Sequence, residues 1–119
     1  SLHDALPICP YIIYADEFAS FTTGTIAGML SELRKYRVGL VLAAQFCSQI
    51  KTSILDAIFG NVGTLVVFRI GAQDAPLMSR QLGDIHPADL INLPNYRNFT
   101  KLMVNGVQTK AFSARTLIK

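Results

Sequence analysis

Two uninterrupted apolar runs, each ending in polar side chains, constrain this chain most. Tyr11-Ile12-Ile13-Tyr14-Ala15 runs directly into Asp16-Glu17, and Val38 to Ala44 ends in Gln45. A strand with one face in water alternates apolar and polar residues; these two do not. Continuous apolar strands belong to parallel sheets covered on both faces. Between them, from Thr25 to about Tyr36, Ile26, Met29, Leu30 and Leu33 fall at helical spacing, and Thr22 or Thr23 can cap the start. Strand, helix, strand in that order predicts a parallel pair joined by a right-handed crossover. Polar groups at the C-terminal ends of such strands are what an α/β site requires.

The pattern continues. Ser53 and Asp56 give an S-x-x-D cap before Ile54, Leu55, Ile58 and Phe59, and Gly60 stops that helix. Thr64 to Ile70 is rich in β-branched residues and reads as a third strand of the parallel sheet. Gln73 to Leu82 reads as a helix closed by Gly83, and Pro87 opens a short one to about Leu93, with His86 at its entry. Lys101-Leu-Met-Val and Val107-Gln-Thr-Lys flank Asn105-Gly106, a strong hairpin signal.

A length of 119 residues suits one small domain or part of a larger one. Half the residues are hydrophobic and only 16% are charged, which excludes a disordered or fibrous chain. The net charge of +3 permits contact with nucleic acid without demanding it. Cys9 and Cys47 lack metal-ligand spacing and read as buried cytosolic thiols rather than a disulfide framework. No apolar run reaches the length of a membrane span, and no signal peptide is visible. Residues 1–9, with His3 among them, do not fit the strand pattern and are set apart as a doubtful leader; the fold proper is expected over 10–119.

The chemistry expected here is phosphoryl transfer. Mg²⁺ keeps several waters and can be held by one carboxylate through a water, the role assigned to Asp16. The adjacent Glu17 points the other way and can orient or deprotonate an attacking water. A solvated acidic pair at a strand end is the plain alternative. Gln45 can donate to a γ-phosphate, although alone it is simply a polar residue leaving a sheet. Arg34, late in the first helix, can stabilise charge on a transferring phosphoryl group in a neighbouring subunit, or merely face the helix C-terminus. Arg69 is a weaker candidate of the same kind, with pairing to Asp74 as its structural alternative.

Taken in order, Tyr14-Ala-Asp-Glu-Phe, Leu30-Ser-Glu-Leu-Arg-Lys-Tyr and Leu40-Val-Leu-Ala-Ala-Gln-Phe resemble the conjugative coupling and type IV secretion ATPases of the FtsK/HerA-like P-loop group. The resemblance runs on through Ala57-Ile-Phe-Gly-Asn-Val-Gly-Thr, Phe68-Arg-Ile-Gly-Ala-Gln-Asp-Ala, Asp89-Leu-Ile-Asn-Leu-Pro-Asn-Tyr and the closing hairpin. It implies an α/β, parallel-sheet, RecA-like P-loop NTPase core fragment with a C-terminal β-hairpin. It also implies a homohexameric ring that hydrolyses ATP with Mg²⁺, moves DNA and works with type IV secretion components in the cytoplasm, at the inner face of the membrane.

Under that resemblance Asp16 and Glu17 match the Walker B pair, Arg34 the arginine finger and Gln45 the γ-phosphate sensor. The phosphate-binding G-x-x-x-x-G-K-[ST] loop does not occur in the sequence. The chain is therefore read as the C-terminal part of a motor domain, cut at its front and inactive alone. The loop and any membrane anchor would lie upstream. Two other functions compete: a non-catalytic docking segment for DNA-processing proteins, and an ATPase that energises protein secretion or pilus assembly.

Overall fold

The computed structural model describes residues 11–17, 24–36, 38–48, 50–83 and 85–117, without the side chains of Tyr11, Thr25, Ile26, Ala27, Ser31 and Arg34. The chain divides into two units, Ser1–Asn61 and Val62–Lys119.

In the first unit, β1 (Tyr11–Asp16) lies parallel to β2 (Val38–Ala43), in register from Tyr11 opposite Val38 to Asp16 opposite Ala43. The connection is α1 (Gly24–Lys35), as the apolar spacing predicts, and α1 packs on β2 and on α2 (Thr52–Asn61). Among the described residues, Leu30, Ile50, Ile54, Leu55 and Ile58 are the buried apolar side chains of this unit. The expected cap is not used. Ser53 already lies inside α2, whose entry is the Lys51 carbonyl accepting from the N–H groups of Ile54 and Leu55 at 3.0 Å. Nor does Gly60 stop the helix. It continues to Asn61, whose side-chain amide donates to the Ala57 carbonyl at 2.7 Å.

Neither strand of the pair is buried. Ile12 is 53% exposed and Tyr14 74%, and Ile13 and Val41 are also open to solvent. The sequence expectation of two fully covered strands is not met among the described residues.

The second unit departs from the expected parallel sheet. β3 (Leu65–Val67) is shorter than the apolar run predicts and pairs antiparallel with β4 (Arg97–Lys101), which pairs antiparallel with β7 (Phe112–Arg115). Among the described residues β3 has no parallel partner. Strands β4 and β7 escape the sequence reading for a physical reason. The inward positions of β4 are Asn98 and Thr100, polar and buried, so the usual apolar alternation is missing. These two bond each other, with the Thr100 hydroxyl donating to Asn98 Oδ1 at 2.7 Å.

The predicted hairpin forms. β5 (Met103–Val104) pairs with β6 (Val107–Gln108) through Asn105 and Gly106. Both turn residues have positive φ, 52° and 78°, the twist that a two-residue hairpin needs. The Thr109 N–H donates to the Leu102 carbonyl at 2.8 Å and extends the ladder.

α3 (Ala75–Leu82) starts with Asp74 at its cap position and Pro76 in its first turn. It ends at Gly83, whose φ of 84° reverses the chain while its N–H donates to the Ser79 and Arg80 carbonyls. α4 (Pro87–Ile91) is capped by His86, whose Nδ1 accepts from the Ala88 N–H at 3.1 Å, so His86 serves helix entry as expected. Val67, Ala75, Met78, Leu82, Leu90 and Leu93 form the apolar interior of this unit.

Leu90, at 0% exposure, anchors the short α4 into that interior. Leu90→Ala removes buried methyl groups from a five-residue helix too short to hold itself. The expected loss is about 2–5 kcal/mol in urea denaturation. A loss below about 1 kcal/mol would mean that α4 is not packed as described.

Candidate functional site

The site follows from strand direction. Because β1 and β2 are parallel and Asp16 sits opposite Ala43, the two strands end together. Gln45 lies two residues past Ala43 and Glu17 one past Asp16, so all three residues leave the sheet at one end. Each is exposed.

Glu17 adopts φ 50°, in the left-handed region. For a residue with a Cβ that conformation costs about 1–2 kcal/mol, and such strain concentrates at functional positions. Its local effect is to turn the chain out of β1 immediately after Asp16. Successive carboxylates are thereby held by different backbone conformations, one extended and one left-handed. One can face a cation while the other faces elsewhere.

Among the described residues no three His, Cys, Asp or Glu side chains converge as a metal cage. The donor set at the strand end is one or two carboxylates open to solvent. That fits Mg²⁺, which retains its waters and takes few protein ligands, better than it fits a dehydrated multidentate site.

Arg34 lies in the last turn of α1, but its side chain falls outside the described residues. Its neighbour Lys35 pairs with Glu32 at 3.2 Å, an exposed contact of the helix surface. Arg69 follows β3, and its guanidinium donates to the Leu93 carbonyl at a long 3.5 Å. Cys47 is half-buried and in no disulfide, whereas Cys9 and His3 lie outside the described residues. Two cations that the sequence reading passed over, Arg97 and Arg115, are brought opposite each other by the β4–β7 register. No sequence signal could find them, because strand register is a property of the fold.

No family model matches the chain, and no curated protein matches it. Among solved structures it is similar to the genome packaging NTPase of Sulfolobus turreted icosahedral virus 2, determined in complex with ATP-gammaS. The TM-score is 0.66 at 12% sequence identity, over 90% of this chain and 52% of that one. This chain thus spans about half the length of the protein it matches. The likeness is one of fold: the chain is α/β and shares its architecture with part of an NTPase.

Proposed function

We propose that this chain is the C-terminal part of the motor domain of an ATP-driven, DNA-translocating P-loop ATPase of the conjugative coupling and type IV secretion group. One observation carries the reading. An apolar strand delivers Asp16-Glu17 to the same end of a parallel pair as Gln45, within a fold shared with an NTPase solved with a nucleotide.

In this reading Asp16 would hold Mg²⁺ through a water, and the chemistry such an ion would supply is neutralisation of phosphate charge. Glu17 orients the attacking water and accepts its proton, for which its distinct backbone turn separates it from Asp16. Gln45 hydrogen-bonds the γ-phosphate and so distinguishes triphosphate from diphosphate. Arg34 reaches the nucleotide of an adjacent subunit in a homohexameric ring. DNA is the cargo and type IV secretion components are the partners. No described helix is long and apolar enough to cross a membrane.

The phosphate-cradling loop is absent from the sequence, and most phosphate contacts come from such loops and the helix N-termini behind them. Isothermal titration of the chain with Mg-ATP is expected to show weak binding or none. Submicromolar affinity would mean that the phosphate site lies elsewhere.

In a protein that joins this chain to its phosphate-binding loop, Glu17→Gln is expected to lower ATP turnover by about 10²–10⁴-fold while sparing nucleotide binding, since the amide keeps shape and loses basicity. A near-normal turnover rate would reassign Glu17 to structure.

For Arg34 the decisive experiment is mixing. Arg34→Ala is expected to fold and bind ATP but to lose turnover in the assembled ring. Mixed with Glu17→Gln subunits, it should regain part of that turnover, because some interfaces then join an intact Glu17 to an intact Arg34. Rings that assemble without any rescue would limit Arg34 to a helix-terminus role worth about 0.3–1 kcal/mol.

A further inference from the structure

We propose that the end of the β4–β7 ladder, built by Arg97, Arg115 and Tyr96, is a binding surface for single-stranded nucleic acid. The proposal rests on the DNA-handling reading above only for the source of the strand; the surface itself comes from register, charge and backbone strain.

Arg97 and Arg115 are directly opposite in the antiparallel ladder. The pleat places such a pair on one face, and like charges at that spacing repel and destabilise a sheet. Among the described residues neither guanidinium has an ion-pair or hydrogen-bond partner, and both residues are exposed. The surrounding sequence offers no relief. No Asp or Glu follows Asp89, whereas Arg97, Lys101, Lys110, Arg115 and Lys119 do. Residues 62–119 hold seven of the eleven basic residues and three of the eight acidic ones. Three of these basic residues, Arg97, Lys101 and Arg115, lie on the paired strands β4 and β7, and positive charge gathered on a sheet is the electrostatic footprint of a polyanion site.

Tyr96 decides which polyanion. It precedes Arg97, has φ 67° and is 50% exposed. An aromatic residue in the left-handed region is uncommon and strained. It is held there by Thr116, next after Arg115, whose N–H and hydroxyl both donate to the Tyr96 carbonyl, at 2.8 and 3.2 Å. The same two strand ends therefore carry one half-exposed ring and two planar guanidinium groups. Arginine forks match phosphate oxygens, and an aromatic face takes an unstacked base. A duplex hides its base faces, and an acidic peptide carries no planar base to lay on an aromatic face. The combination fits a single strand.

The test uses the 119-residue chain and a labelled oligothymidylate of about 20 nucleotides, long enough for a single-strand site. Fluorescence anisotropy is followed across salt concentrations without nucleotide. The double variant Arg97→Gln, Arg115→Gln is expected to lower the slope of log K against log salt by about 1.4 and to weaken binding about 25-fold at about 0.1 M salt, from counterions no longer released. Its Tm should not fall, because a repulsive pair has been removed.

Tyr96→Ala should weaken binding at least about fivefold with the salt slope unchanged, and Tyr96→Phe should bind like the parent chain. A parent chain that does not bind, or a double variant with an unchanged slope, overturns the surface. So does equal competition by polyglutamate, which would identify an acidic protein partner. These outcomes leave the ATPase reading standing, since that reading is tested separately by Glu17→Gln turnover.

Discussion

The parallel register of β1 and β2 is the constraint on which the candidate site depends. In an antiparallel pair Asp16 and Ala43 would lie at opposite ends, and Gln45 would leave the sheet far from both carboxylates. Parallel pairing brings the ends together whatever the side chains are. A one-residue slip would still leave the three groups at one end, but it would flip every β1 side chain relative to β2. The site is therefore a consequence of backbone direction first and of side-chain chemistry second.

That same pair shows what the chain does not do by itself. Parallel strands normally have both faces covered, and a two-stranded sheet is marginal in water. Here Ile12, Ile13, Tyr14 and Val41 remain exposed. The similar NTPase is matched over 52% of its length, so about half of that molecule has no counterpart in this chain.

Among the described residues, backbone strain falls at three non-glycine positions, Glu17, Tyr96 and Asn105. Asn105 has a plain structural cause, the hairpin turn it forms with Gly106. The other two lie where proposed functions do, Glu17 at the end of β1 and Tyr96 at the mouth of the β4–β7 ladder. In each case a left-handed residue sits at a strand end beside a charged neighbour in the strand itself. Tyr96 is tied down by two hydrogen bonds from Thr116, so this conformation is imposed by strand pairing rather than by local preference.

Much was legible in the residues themselves. Apolar run, helical spacing and second apolar run gave β1, α1 and β2 nearly to their ends. Asn105-Gly106 gave the hairpin, Gly83 the end of α3, and His86-Pro87 the start of α4, because each of these is a local conformational preference. The sequence also determined which polar groups end the two apolar strands. What it left open required long-range pairing. Asn98 and Thr100 look like surface residues until β4 turns them inward to bond each other. The Arg97–Arg115 juxtaposition exists only in the register of strands separated by a hairpin. β3 reads as a third parallel strand from its β-branched residues, yet pairs antiparallel with β4. Local composition sets whether a segment is extended, whereas strand direction and partner are settled by which distant segment completes its hydrogen bonds.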